Sequence, residues 1–490
     1  VNNAYEALMR LPGVQESKGV LTLVGAGNLT VILNGKPTTM DVGQLETLLR
    51  NTPVNRVEKV EVMYSAPPEY HVRGAVINVV LKRSNDYSFQ GEVSADYKNQ
   101  YFNSGGMKGN FRLSTPKMAF DVMYGANDVK NMEYIDLDSR HALKNERYDI
   151  SQNEQLRSKY WNHNFRTAFE YNFNDNHTIN VIYTGSYSPD QYNSSETTGN
   201  YQTSNVDKYL DTRMNNVTLQ YYTHYKSDNH QSLYADYQDG RQSSFSMVGG
   251  QRIDRYSIYA DQKHSLSKGW SLGYGVSYRF AKDRDFQIYD KVVGDIHTQN
   301  MYSDLKEQTT NFYVSLSKNY ETGVSFSVSA TGEYYTIGNY HKWAVYPQAS
   351  LTYFKTPKHT FQFSLSTDKT YPGYWDMQSS VSYLNGYTEL WGTPGLKPMT
   401  NYNLNGSYIL KQKYIFNLFF MHTPDYFIQT PYQSTDRLAL IYKNTNWNYM
   451  QLWGASIILP FKTGNWLDSR LTVAGMQMRQ RCDDFFDIPF

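Results

Sequence analysis

From residue 88 onward the chain alternates apolar and polar residues position by position. In Ser88 to Tyr97, the residues Phe89, Gly91, Val93, Ala95 and Tyr97 fall on one face, and Gln90, Glu92, Ser94 and Asp96 on the other. The spacing returns in Ile179, Val181 and Tyr183, in Val217, Leu219 and Tyr221, in Leu272 to Phe280, and in Val324 to Ala330. A period of two predicts strands with one apolar and one polar face. Soluble sandwich strands run to about 5–6 residues, whereas these reach the ~9–11 that a tilted strand needs to cross a bilayer core. About 17 such strands are expected, the last at Leu467 to Met478.

The connections alternate in length. Ser114 to Pro116, Asn174 to Asn176, Ser227 to Asn229, Lys355 to Lys358 and Lys462 to Asn465 are tight turns rich in Asn, Asp, Gly and Pro. Between them, 127–160, 188–212, 281–310 and 370–400 are expected to be long polar loops. Short turns on one rim and long loops on the other form the layout of an outer-membrane barrel. A soluble propeller is the competing reading, but its connections need not alternate in this way.

Residues 1–83 follow a different pattern. Leu29 to Leu33, Val57 to Val62 and Ala75 to Leu81 are short aliphatic blocks that predict strands, while Ala4 to Arg10 and Val42 to Arg50 have helical spacing. The expected architecture is mainly β: a small α/β unit over 1–83, then a transmembrane antiparallel β-barrel over 84–490. Residues 483–490 lack alternation and contain a proline, which suits a loop better than a closing strand. Single-chain bacterial barrels have an even strand number, so an odd count predicts a barrel incomplete at its C-terminus.

Composition narrows the class further. Tyr outnumbers Phe by 45 to 23, as suits a surface that meets both apolar material and water. With 47 basic and 46 acidic residues, no basic field exists to attract nucleic acid. Mean hydropathy is −0.64, and no apolar run approaches the ~18 residues of a spanning helix. Cys482 is the only cysteine, so neither an intrachain disulfide nor a Cys-based zinc site can form.

Catalytic chemistry is not in evidence either. Glu58 and Glu61, three apart on a predicted strand, point to opposite faces and are expected to be structural or to contact the barrel. Asp136 and Asp138 fall in a predicted loop without the Gly and Glu of an EF-hand, and His141, His163 and His177 lack metal-ligand spacing. With no phosphate loop or nucleophile elbow present, no enzyme, metal or cofactor is expected. The loop aromatics Tyr371, Tyr374, Trp375, Tyr383, Tyr387 and Trp391 are candidates for a ligand platform, of which Tyr371, Tyr374, Trp375 and Trp391 are taken as substrate-binding. Packing within the loops and the interfacial girdle is the alternative.

Four motifs in order carry a resemblance. Pro12-Gly13-Val14, Asn34-Gly35-Lys36-Pro37, Val57-Glu58-Lys59-Val60-Glu61-Val62 and Arg73-Gly74-Ala75-Val76-Ile77-Asn78 resemble the plug domain of TonB-dependent outer-membrane receptors. Gly392-Thr393-Pro394-Gly395-Leu396-Lys397-Pro398 is similar to a barrel segment of the same receptors. The resemblance makes Pro12, Gly13, Asn34, Gly35, Glu58, Glu61, Arg73, Gly74 and Asn78 the plug signature. It implies a barrel of about 22 strands when complete, too wide for its own side chains to fill and stoppered by the plug. On this comparison the chain would lack the TonB box and the last barrel strands.

Function follows as an expectation. A scarce solute would dock on the outer loops and plug apex and be imported with energy from TonB, across an outer membrane whose lipid surrounds the barrel. Arg73 would then be locked to a barrel carboxylate until TonB pulls; a solvated loop arginine is the other reading. The loops carry no pattern that singles out a siderophore, haem, peptide or glycan. A non-transporting barrel, such as an adhesin, structural protein or passive porin, is the alternative function.

Overall fold

The structure is a computed structural model. It describes residues 3–483 except 12–13, 18–19, 24–25, 27–28, 36–41, 51, 53, 55–56, 83–86, 144–145, 175–176, 202, 226–228, 245–247, 289–299, 321, 357, 380, 385–386, 412 and 465–466. Side chains are described for these residues other than 17, 20, 42–44, 47, 222–249, 463 and 468. Pro12 and Gly13 lie outside the described residues.

The N-terminal unit contains α1 (Ala4–Met9), β1 (Val14–Ser17), β2 (Val20–Leu23), β3 (Leu29–Leu33), α2 (Val42–Arg50), β4 (Val57–Met63) and β5 (Ala75–Leu81). Asn3 caps α1 by accepting from the Glu6 backbone N–H at 2.9 Å. Ala4, Tyr5 and Leu8 of α1 pack with Leu49, Val31, Ile77 and Val79 in one core. The central sheet has the order β3-β5-β4, with β3 parallel and β4 antiparallel to β5. A register shift between Val57 and Lys59 inserts an extra residue at Glu58. Val57 and Val60 therefore both pack on the core, and the strict alternation expected to separate Glu58 from Glu61 does not run through the bulge.

The chain then continues through β6 (Ser88–Asn99), β7 (Asn103–Ser114), β8 (Met118–Leu143), β9 (Glu146–Asn174), β10 (His177–Gly199) and β11 (Ser204–Tyr225). Next come β12 (Asn229–Ser244), β13 (Val248–Ser265), β14 (Trp270–Ile288), β15 (Met301–Asn319), β16 (Val324–Ile337), β17 (Tyr340–Thr356) and β18 (His359–Thr370). Two short strands, β19 (Val381–Tyr383) and β20 (Thr388–Trp391), precede β21 (Met399–Leu410) and β22 (Tyr414–Pro424). The last four are β23 (Phe427–Gln433), β24 (Leu440–Asn446), β25 (Tyr449–Thr463) and β26 (Leu467–Arg481).

Seventeen of these strands close into one barrel, in agreement with the number expected from the alternation. The remaining four, β19-β20-β24-β23, form a separate sheet built from the two longest outer loops, in which β20 and β24 run parallel. Among the described residues no helix is long and apolar enough to cross a membrane.

The barrel is apolar outside and polar inside. Val93 and Leu418 are 68% and 67% exposed on the outer wall, while Thr184, Asn216, Thr218 and Glu333 are buried toward the lumen. Aromatic rings mark both edges of the belt. On the short-turn side, Tyr221 lies 2.9 Å from His177 Nδ1, and Tyr408 lies 2.8 Å from His359 Nδ1. On the loop side, Trp161, His163 and Tyr187 stack in a row, with Tyr124 bonded to His163 at 2.8 Å. Such rings are most stable at a membrane–water boundary.

Three expected loops are largely strand instead; within 281–310, β14 and β15 pair from Ala281↔Glu307 to Gln287↔Met301. β8 and β9 pair continuously from Met118↔Tyr171 to Leu143↔Glu146, so most of 127–160 is ladder, and β10 pairs with β11 through 188–210 around one bulge. Asp136 and Asp138 consequently sit in β8 rather than in a loop. Above the membrane both faces of a strand meet water, so the apolar alternation vanishes although backbone pairing persists. The β8–β9 hairpin extends on the order of 50 Å along the strand beyond the outer girdle.

Candidate functional site

The site lies where the plug loop Ala66–Gly74 meets the inner barrel wall. Gly74 has φ +83°, and its carbonyl accepts from the Ala66 N–H at 2.9 Å, closing the base of the loop. Within it, Glu69, His71 and Arg73 recur at every second position, and each reaches the wall. Lys263 donates to Glu69 at 3.2 Å. His71 Nε2 lies 2.5 Å from Asp261 Oδ2, with its ring 3.7 Å from that of Tyr259. A Cβ at Gly275 would collide with Asp261 and with the Tyr313 ring, so the wall is cut back there to admit this pair.

Arg73 is the most elaborate contact. Its Nη2 donates to Glu333 Oε2 and to Asn311 Oδ1, both at 2.9 Å, and its guanidinium lies 4.2 Å from the Tyr346 ring. Glu333, 1% exposed, also accepts from Lys369 Nζ at 2.6 Å and from the Tyr371 hydroxyl at 2.9 Å. Lys369 in turn lies 4.1 Å from the Tyr335 ring. Two cations thus share one carboxylate within a cage of phenol rings, leaving one positive charge in excess. A cavity of about 700 Å³ opens beside this group, lined by His71, Arg73, Tyr259, Glu333, Lys369 and Tyr371 among others.

The four candidate substrate aromatics do not form one open platform. Tyr371 and Tyr374 join a buried cluster with Tyr335, Ile337 and Met377. Their hydroxyls are donated to Glu333 and Glu307. Burial and then those carboxylates push both hydroxyls above the usual phenol range, so both remain neutral donors. Trp375 starts the short 3₁₀ turn Trp375–Met377. Trp391 belongs instead to β20, where its Nε1 donates to Glu389 Oε2 at 2.8 Å.

Four plug-signature residues do converge, though within the plug. Asn34 and Gly35 have φ of +52° and +73°, a turn that suits Asn and Gly. The Gly35 N–H donates to Asn78 Oδ1 and the Leu81 N–H to Asn34 Oδ1, each at 2.8 Å. Asn78 Nδ2 donates to Glu61 Oε2 at 2.7 Å. The network ties all three strands of the central sheet. Glu58 is exposed, at the bulge.

Sequence reasoning singled out Arg73 but missed Glu69, His71, Asp261, Glu333 and Lys369. The spacing of Glu69, His71 and Arg73 offered no regular signal, because Glu69 lies in the 3₁₀ turn Pro68–Tyr70 and His71 is left-handed with φ +54°, so it is the turn that aims these side chains at the wall. Among the described residues, no three His, Cys, Asp or Glu side chains converge as a metal centre.

A family model described as the outer membrane protein beta-barrel family matches residues 208–487. The chain belongs to this family. It is a protein of the Gram-negative outer membrane, and its fold is that of solved receptors. The siderophore receptor PirA from Pseudomonas aeruginosa superposes with a TM-score of 0.64 at 13% identity, over 98% of this chain and 82% of that one. The ferric enterobactin receptor PfeA from the same organism gives 0.64 at 13% identity, over 97% and 78%. The FrpB iron transporter from Neisseria meningitidis gives 0.61 at 12% identity, over 98% and 77%. No curated protein matches the sequence.

Proposed function

We propose that this outer-membrane barrel is a TonB-dependent receptor that binds a ferric siderophore at its outer loops and plug apex and imports it into the periplasm. The observation that carries the reading is the sharing of Glu333 between plug, barrel wall and outer loop. One carboxylate holds Arg73 of the plug, Lys369 of β18 and Tyr371 of the loop that follows β18. A ligand that draws Tyr371 away weakens the anchorage of Arg73, and so lowers the force needed to displace the plug. That force comes from TonB in the periplasm, because the outer membrane has neither ATP nor an ion gradient of its own. Likeness to siderophore and iron receptors supports an iron chelate over haem, a peptide or a glycan. The excess cation at Arg73 and Lys369, ringed by tyrosines, suits an anionic aromatic chelate.

The test is uptake of ⁵⁵Fe-enterobactin, and of a hydroxamate chelate alongside it, by cells expressing the full-length protein. Uptake is expected to cease when TonB is deleted. Accumulation that continues unchanged without TonB would overturn the proposal in favour of a passive barrel.

A further inference from the structure

We propose that Asp283, Asp285 and Gln378 form a binding site for a hard divalent cation of the calcium class, which pins the loop carrying Tyr374 and Trp375 to the inner wall of β14. The inference does not depend on the transport reading.

The period of two in β14 turns Ala281, Asp283 and Asp285 to the same inner face, where Asp283 is 0% and Asp285 4% exposed. Other buried carboxylates of the interior have partners. Asp261 meets His71, Glu333 meets Arg73 and Lys369, Glu389 meets Arg437, and Glu307 accepts from Tyr374. Among the described residues, no basic side chain forms an ion pair with Asp283 or Asp285. Asp283 Oδ1 and both carboxylate oxygens of Asp285 are buried without a hydrogen-bond donor.

The second observation comes from a different element and a neutral residue. Gln378 follows the 3₁₀ turn Trp375–Met377 and is 4% exposed. Its Nε2 donates to Asp283 Oδ2 at 3.3 Å, while its carbonyl oxygen is buried and has no donor. Three residues thus gather four buried acceptor atoms that find no donor in hydrogen-bonding geometry, with the Gln378 amide interacting with both carboxylates. Buried acceptors in native structures are nearly always satisfied, and negative oxygens packed together repel unless something positive lies between them.

The donor set selects the ion. Carboxylate and amide oxygens alone suit calcium, magnesium or manganese rather than zinc or copper. Calcium accepts irregular sets of 6–8 oxygens completed by water, whereas magnesium demands a near-ideal octahedron. Two carboxylates match a charge of +2. Gln287, on the same face, donates to the Val381 carbonyl at 3.2 Å, so the loop leaves the ion along a strand that already holds it. Affinity should resemble that of extracellular calcium modules, with Kd on the order of 10⁻⁴–10⁻³ M.

The test is calorimetric titration of the full chain in detergent micelles with CaCl₂, paired with thermal unfolding in CaCl₂ and in EDTA. Saturable binding and a calcium-dependent rise in Tm are expected, with MgCl₂ giving less of both. Asp285→Asn should weaken binding at least tenfold. Gln378→Leu, which leaves both carboxylates and the barrel wall intact, should weaken it severalfold and serves if Asp285→Asn does not fold. Absence of calcium binding, or unchanged affinity in either folded variant, would overturn the proposal. So would a metal-free Asp285→Asn protein more stable than a wild type indifferent to calcium, since the two carboxylates would then share a proton.

Discussion

In the plug, the fully buried side chains include Leu8, Ile32 and Ile77; in the barrel, they include Thr184, Thr197 and Thr367. The plug is surrounded by wet lumen and folds as a soluble domain does, by withdrawing apolar surface from water. The barrel has lipid outside and water inside, so its apolar residues gain nothing by moving inward, and its closed backbone ladder holds it instead. The same residue types therefore stabilise the two regions from opposite sides. What joins them is polar: Glu69, His71 and Arg73 on one side, and Lys263, Asp261 and Glu333 on the other.

The largest effect is expected at that junction. Glu333→Ala leaves Arg73 and Lys369 buried without their carboxylate, which should cost about 3–5 kcal/mol. A lower Tm in detergent and faster protease cleavage of the plug would register it. Unchanged values would mean that the contact is ornamental.

Next, the two regions should respond oppositely to their surroundings. Leu418→Arg, on the lipid face, should cost about 2–4 kcal/mol in vesicles if it lies near the midplane. Ile77→Ala should cost about 2–5 kcal/mol whether the protein sits in vesicles or micelles. Equal sensitivity of both to the lipid, measured by urea unfolding, would break the contrast.

The smallest effect concerns acid. Burial raises the Glu61 carboxyl, but hydrogen bonds from Lys59 and Asn78 more than offset this and hold it below its usual range. A carboxyl depressed in the folded state stabilises it above the unfolded value, and that stability is lost as pH falls through the folded value. Partial exposure limits the effect to well under about 1 kcal/mol. Hydrogen exchange of the plug amides in acid should show it, and Glu61→Gln should flatten it.

Much of the barrel was legible because lipid imposes a pattern: Leu272 to Phe280 alternates since one face of β14 meets hydrocarbon. The β8–β9 hairpin was not, because no lipid touches 130–158 and nothing there enforces a period. Arg73 could be recognised as a plug residue, but its partner is 260 positions away, and only closure of the barrel brings them together. Trp391 was grouped with Tyr371 by proximity in the chain, yet the β19–β20 hairpin carries it into a separate sheet. The bulge at Glu58 has no signature in an otherwise regular run of valines and charges.

The parallel pairing of Thr388–Trp391 with Leu440–Lys443 joins segments from two different loops through four successive backbone positions. Neither loop can swing clear of the mouth alone without breaking that seam. The two loops are therefore one unit hinged on both sides, and a crosslink placed anywhere along the seam would fix them together.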